Sequence, residues 1–307
     1  MPAVHSESMP APARAGLDRF GLAQLAVVYV IWGSTYLGIR VAVREGAGWP
    51  PFVMAGLRTL AAAAILLAWA RLRGERVRVS RGELALLAPT GALLWLGGNG
   101  LVTLAEQRVD SGLAALLVAA MPIWAELIAI VLDRRLPRWK TIGSVLIGFA
   151  GVALLCWPLL RGGTRADVLG VVALLAAPLF WALGSIWLQR RRPDLGVLAV
   201  SGWQQGLGAL SLLAMSLITR EPLPQPTREA WLAWGYLVLF GSVIAFTSYM
   251  STIRRLPYRV VATYTYVNPV IAVLLGWLLL RETVTGWTLA GAALVVAGVA
   301  GVFQNRD

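Results

Sequence analysis

This sequence predicts an all-α integral membrane protein of ten transmembrane helices, folded as two inverted five-helix repeats. Three observations carry that expectation: ten long apolar runs, an uneven spread of basic residues between alternate connectors, and a self-similarity between the two halves.

Of 307 residues, 58% are hydrophobic and 14% charged, with a mean hydropathy of +0.70. A soluble domain is about 45–50% apolar and roughly a quarter charged. Lipid tolerates this balance and water does not. One crossing takes about 20 apolar residues. The runs between charge clusters fall at 20–43, 50–72, 83–104, 112–132, 139–159, 168–188, 195–217, 229–251, 259–280 and 285–303. Each is continuously apolar, unlike the short alternating strands of a membrane barrel. The connectors carry breakers such as Pro50-Pro51, Arg161-Gly162-Gly163 and Pro222-Leu223-Pro224.

Residues 1–19 are polar, rich in Pro and Ala, and lack the apolar core of a signal peptide, so they read as a disordered cytoplasmic tail. The single cysteine, Cys156, excludes an intrachain disulfide, and the single histidine, His5, sits in the tail. Neither a metal nor a cofactor is expected. A net charge of +12 would suggest nucleic acid in a soluble protein. Here the arginines lie in connectors, where they orient the chain and meet lipid headgroups, so no nucleic-acid partner is expected.

Lys and Arg number 18 in the tail, the C-terminus and one alternate set of connectors, and 8 in the other set. By the positive-inside rule the first set is cytoplasmic, and both termini with it. A shift of 147 residues places Pro122 on Pro269, Thr141 on Thr288, and Ala150-Gly151-Val152-Ala153 on Ala297-Gly298-Val299-Ala300. The repeats are therefore expected at 20–160 and 168–303, one integrated transmembrane domain. Five spans per repeat is odd, so the second copy is inverted. Inverted repeats recur in transporters, with the binding site near mid-membrane.

Together with the phrase Leu-Arg-Glu-Thr-Val-Thr-Gly-Trp-Thr-Leu-Ala-Gly at 280–291, this layout resembles the EamA branch of the drug/metabolite transporter superfamily. Trp32-Gly33-Ser34, Arg58, Pro122 and Asn268-Pro269 match as well. Within that branch the chain is most similar to bacterial inner-membrane exporters of amino acids, aromatic ones included. One departure is visible: the phrase around Glu282 becomes Asp133-Arg134-Arg135-Leu136-Pro137 in the first half.

Polar residues inside spans are costly and invite a functional reading. Glu126, one turn after Pro122, either binds a substrate ammonium or a coupling proton, or is an acid paired within the bundle. Arg58, about 12 Å into the second span, holds a carboxylate or makes a structural ion pair. Pro122 and Pro269 are expected helix breaks, either at the binding depth or as packing kinks. Asn268 offers an amide to either end of an amino acid. Trp32, Trp95, Trp124 and Trp181 form a cavity wall for aromatic or cationic solutes, or pack against lipid. Tyr36, Asn99 and Tyr264 line a wet cavity or bond neighbouring helices.

The expected function is a secondary transporter exporting small metabolites, amino acids among them, by alternating access through a central cavity. The alternatives are an exporter of other solutes such as cationic drugs, or a channel or lipid scramblase. No enzyme is expected, because no span holds two acids and no phosphate-cradling Gly-rich Lys motif occurs. The partners are a small-molecule solute and membrane lipid, and a monomer satisfies this reading.

Overall fold

A helix leaves its first amide protons without partners, and this sequence supplies a device at several helix starts. The computed structural model describes residues 18–133, 139–162, 165–256, 258–261 and 263–304, and all regular structure among them is helical. Asp18 caps α1 (Arg19–Val43), its side chain accepting from the Phe20 amide at 2.9 Å. Pro51 opens α2 (Pro51–Leu72), where a missing N–H has no helical partner to lose. Ser80 and Glu83 form a reciprocal capping box at the start of α3 (Arg81–Ala105). Next come α4 (Ser111–Leu132), α5 (Trp139–Gly162), α6 (Arg165–Arg190) and α7 (Val197–Ile218). Thr227 caps α8 (Arg228–Arg255) through the Ala230 amide. A single turn, Tyr258–Val261, leads to α9 (Tyr264–Leu280), and α10 (Gly286–Gln304) follows.

Seven of these helices, α1 to α4 and α6 to α8, are long and apolar enough to cross a membrane. Three shorter apolar stretches add to them: Trp139–Leu155, Tyr264–Leu280 and Gly286–Gly301. Large apolar side chains stand outward, Leu217 80% and Trp139 77% exposed, as a lipid solvent permits. Each apolar run read from the sequence falls on one of these helices, but the ends differ. α3 and α8 outrun 83–104 and 229–251, and α1 begins at Arg19, inside the expected tail. Residues 1–17, with His5 and Arg14, lie outside the described residues, as do Arg134, Arg135, Arg138 and Arg306.

Several helices carry a break, an internal proline or a π-helical stretch. α4 stops at Val118, turns through Ala119-Ala120 and resumes at Met121, so Pro122 is the second residue of the new segment. Pro269 lies inside α9. α3 and α8 each contain a nine-residue π-helical stretch, Ala92–Gly100 and Leu237–Ala245. Such widened turns frequently mark functional sites.

The most extensive packings join α2 to α7 and α5 to α10. Small residues allow both. A Cβ on Gly298 of α10 would run into the backbone of Gly148 in α5, and one on Gly202 of α7 into Leu67 of α2.

Three helix ends share one device. After α2, α7 and α9 the chain passes through a left-handed residue, Gly74 (φ 73°), Arg220 (φ 52°) and Arg281 (φ 56°), and a glutamate follows. Glu75 accepts from the Ala199 amide in the first turn of α7 at 3.1 Å. Glu221 accepts from the Phe52 and Val53 amides of α2 at 2.9 and 2.8 Å. Glu282 accepts from the Ser111 amide and hydroxyl and the Gly112 amide of α4, at 2.9, 2.8 and 3.0 Å. In each case an anion sits on free first-turn amides at the positive end of a helix dipole.

Candidate functional site

A cavity opens between α1, α2, α3, α4, α6 and α9. Water centres have about 70 Å³ within it, several times the ~10–15 Å³ that one water needs. Its one charged lining residue is Arg58, 2% exposed. The Arg58 Nε donates to Ser242 Oγ at 2.8 Å, which ties α2 to the π-helical stretch of α8. The guanidinium also lies 5.7 Å from the Trp95 ring centroid, a cation–π distance. The Gln205 Nε2 of α7 holds the Ser242 carbonyl at 3.0 Å, so the residue beneath Arg58 is itself fixed.

Aromatic rings make much of the wall. Trp32 packs on Tyr249, Tyr264 and Trp181 with centroid distances of 4.8, 5.3 and 5.5 Å. Trp95 meets Trp181 at 6.2 Å. Polar contacts hold these rings in place: the Trp32 indole donates to the Gly241 carbonyl at 3.2 Å, and the Trp181 indole to the Tyr249 hydroxyl at 3.2 Å. The Tyr264 hydroxyl donates to the Met121 sulfur at 3.3 Å, across the break in α4. Glycine sets the floor, since a Cβ on Gly98 would strike the Trp181 ring.

Of the residues singled out from sequence, Trp32, Tyr36, Arg58, Trp95 and Asn99 line this cavity, together with Trp181, Tyr264 and Asn268. With its amide nitrogen turned toward α1, Asn268 donates to the Tyr29 and Tyr264 carbonyls, at 3.1 Å each. Glu126 and Trp124 are not among the lining residues. Glu126 is half-buried, and Trp124 packs edge-on against Phe149 at 5.9 Å. Pro122 and Pro269 are buried immediately after the lining residues Met121 and Asn268. Three buried polar atoms of the lining residues make no hydrogen bond within the protein: Arg58 Nη1, Trp95 Nε1 and Asn99 Oδ1.

The sequence reading passed over Glu106. It follows α3 directly and is 0% exposed, and neither carboxylate oxygen has a hydrogen-bond partner. Its own carbonyl accepts from Arg40 Nη1 at 2.7 Å. A visible clue was the spacing Asn99, Val102, Glu106, one stripe of a helix face.

The described residues thus form a multi-pass helical membrane protein that encloses a small aromatic cavity with one buried cation. The chain belongs to the EamA-like transporter family, whose sequence profile matches it twice, over 19–157 and 168–304. It is 37% identical to the uncharacterized inner membrane transporter YedA of Escherichia coli, over 85% of this chain and 83% of that one. It is 26% identical to a probable amino-acid metabolite efflux pump of Salmonella typhimurium, over 89% and 91%. A solved crystal structure shares the fold, with a TM-score of 0.66 at 24% identity, over 93% of this chain and 97% of the other. The chain is thus a multi-pass membrane protein of a transporter family, and its kinship is with transporters rather than with enzymes.

Proposed function

We propose that this chain is a secondary transporter of the bacterial inner membrane that exports amino acids and related small metabolites by alternating access. Its ten helices act as two inverted five-helix repeats with both termini in the cytoplasm, and the cavity is the solute site. The observation that carries the reading is Arg58, a buried guanidinium with an unpartnered Nη1 set among aromatic rings. A lone planar cation suits one carboxylate. Phosphorylated solutes would call for more cationic groups than one, and a permanently cationic drug would be repelled. Trp32, Trp181 and Tyr264 offer an apolar wall to a side chain, and Asn99 Oδ1 can accept from a solute ammonium. One relative, named a probable amino-acid metabolite efflux pump, supports this class of solute.

Counterflow in proteoliposomes, with a panel of amino acids, sugars and organic cations, tests the proposal. Zwitterionic amino acids, aromatic ones foremost, are expected to exchange. Arg58→Ala should cut their exchange more than tenfold, and Arg58→Lys should recover only part, because an ammonium cannot form the two-pronged contact. Exchange confined to sugars or cations, or untouched by Arg58→Lys, overturns it.

A further inference from the structure

The transport reading leaves Glu106 unused, and its surroundings are specific. Asn99 and Val102 line the cavity, and Glu106 lies one helical turn beyond Val102 on the same face of α3. Two lining residues stand within electrostatic reach of it, Tyr36 of α1 and Arg58 of α2, but neither supplies a hydrogen bond to its carboxylate. Arg40 of α1 faces it as well, giving Nη1 to the Glu106 carbonyl and Nη2 to Asp110 at 3.7 Å. The Glu282 carboxylate, held on the first turn of α4, acts on Glu106 and on Asp110 alike. α6 packs on this end through Gly170 and brings no charged side chain among those described, and Arg108 is exposed.

An ionised carboxylate enclosed without a hydrogen bond is costly, and the Glu282 carboxylate adds to that cost while the Arg40 and Arg58 charges offset part of it. The neutral acid is the form that such an enclosure favours. Opening this end of the bundle has to part Glu282 from α4 and admit water to the same neighbourhood, which favours the anion. A proton is the one cation small enough to serve a carboxyl that no solute can touch.

Building on the transport reading, we propose that Glu106 is the proton-binding site of this transporter, protonated while enclosed and ionised when this end of the bundle opens. The carboxyl takes its proton from water on one side of the membrane. It returns that proton to water on the other side, with the change between the two states in between. Glu106 is separate from the solute site, yet one turn from it, so that occupancy of each can favour the same conformation.

Two measurements test this. Infrared difference spectra of purified protein between acidic and neutral buffer should show a protonated-carboxyl band that Glu106→Gln removes. In proteoliposomes, Glu106→Gln should keep solute counterflow and lose the acceleration by a proton gradient. Glu106→Asp should keep the acceleration with a displaced pH midpoint. A gradient response unchanged in Glu106→Gln, or a midpoint unchanged in Glu106→Asp, overturns the assignment. If Glu106→Gln fails to fold, the Asp variant and its shifted infrared band carry the test. Wild-type protein that moves no solute counts against the transport reading instead, and the infrared band still reads the proton site.

Discussion

The α2–α7 pair and the α4–α9 pair hold corresponding places in the two matched halves, yet they are tied differently. Glu75, after α2, sits on the first turn of α7, and Glu221, after α7, sits on the first turn of α2. The tie is reciprocal. In the second pair Glu282, after α9, sits on the first turn of α4. The register 147 residues earlier holds Arg135, a cation that cannot accept from an amide, in a segment outside the described residues. The clamped pair brings Arg58 and Gln205 to the base of the cavity. The pair with one described latch presents Met121, Tyr264 and Asn268 to it. Among the described residues the α2–α7 tie runs both ways, and the α4–α9 tie is seen from one end only.

The largest effect should come from Glu282→Ala, which removes three bonds to α4. Bonds to a charged acceptor are the strong ones, and losing this set should shift the closed-to-open balance by about 2–3 kcal/mol. A membrane-impermeant maleimide should then label Val118→Cys at least about tenfold faster, in a background carrying Cys156→Ala. An unchanged rate would mean that packing alone keeps this end shut.

Glu221→Ala should act on stability instead. It strips two amide bonds from α2 and should lower the unfolding free energy by about 2 kcal/mol, and Glu75→Ala, with one bond, by about 1 kcal/mol. The two caps sit at opposite ends of α2, about 30 Å apart along its axis, so the double variant should be additive. Neither should change the labelling of Val118→Cys. If Glu221→Ala exposes that position as strongly as Glu282→Ala, the contrast between the two pairs collapses.

Composition made the membrane fold legible, because lipid is the one solvent that accepts so long a series of apolar runs. Much of the cavity was legible for the related reason that polar and aromatic groups stand out in such runs. Arg58, Asn99, Asn268 and the tryptophans at 32, 95 and 181 all reach it. Glu126 stood out equally, yet it is absent from the lining, because one residue in a run does not reveal which helix face turns inward. Glu106 was hidden by a boundary: the run was ended at 104, and an acid past the end of a span reads as a connector. The left-handed turns at Arg220 and Arg281 had no glycine to announce them. The π-helical stretch of α3 left Gly97, Gly98 and Gly100 as a trace, and these also serve close packing, the first two on α6 and the third on α7.

The smallest effect belongs to the tie between α1 and α8. Asp18 accepts from Arg255 at 3.1 Å, with Arg255 also over the Phe20 ring at 4.8 Å, and both charged groups meet solvent. The Arg255 hydrogen bond holds the Asp18 carboxyl below its ordinary value of 3.8, against the opposing effect of desolvation. A carboxyl lowered on folding stabilises the fold above its ordinary range. That contribution is complete at neutral pH, and it fades as pH falls through 3.8 toward the lowered value. Asp18→Asn isolates the ion pair, because asparagine caps a helix start nearly as well as aspartate. Its melting temperature should fall slightly in low salt at pH 7, match wild type in high salt, and approach wild type again as pH falls below 3.8, with Val118→Cys labelling unmoved. If Asp18→Asn proves as destabilising as Glu221→Ala at physiological salt, then seating on buried first-turn amides is not what ranks these carboxylates.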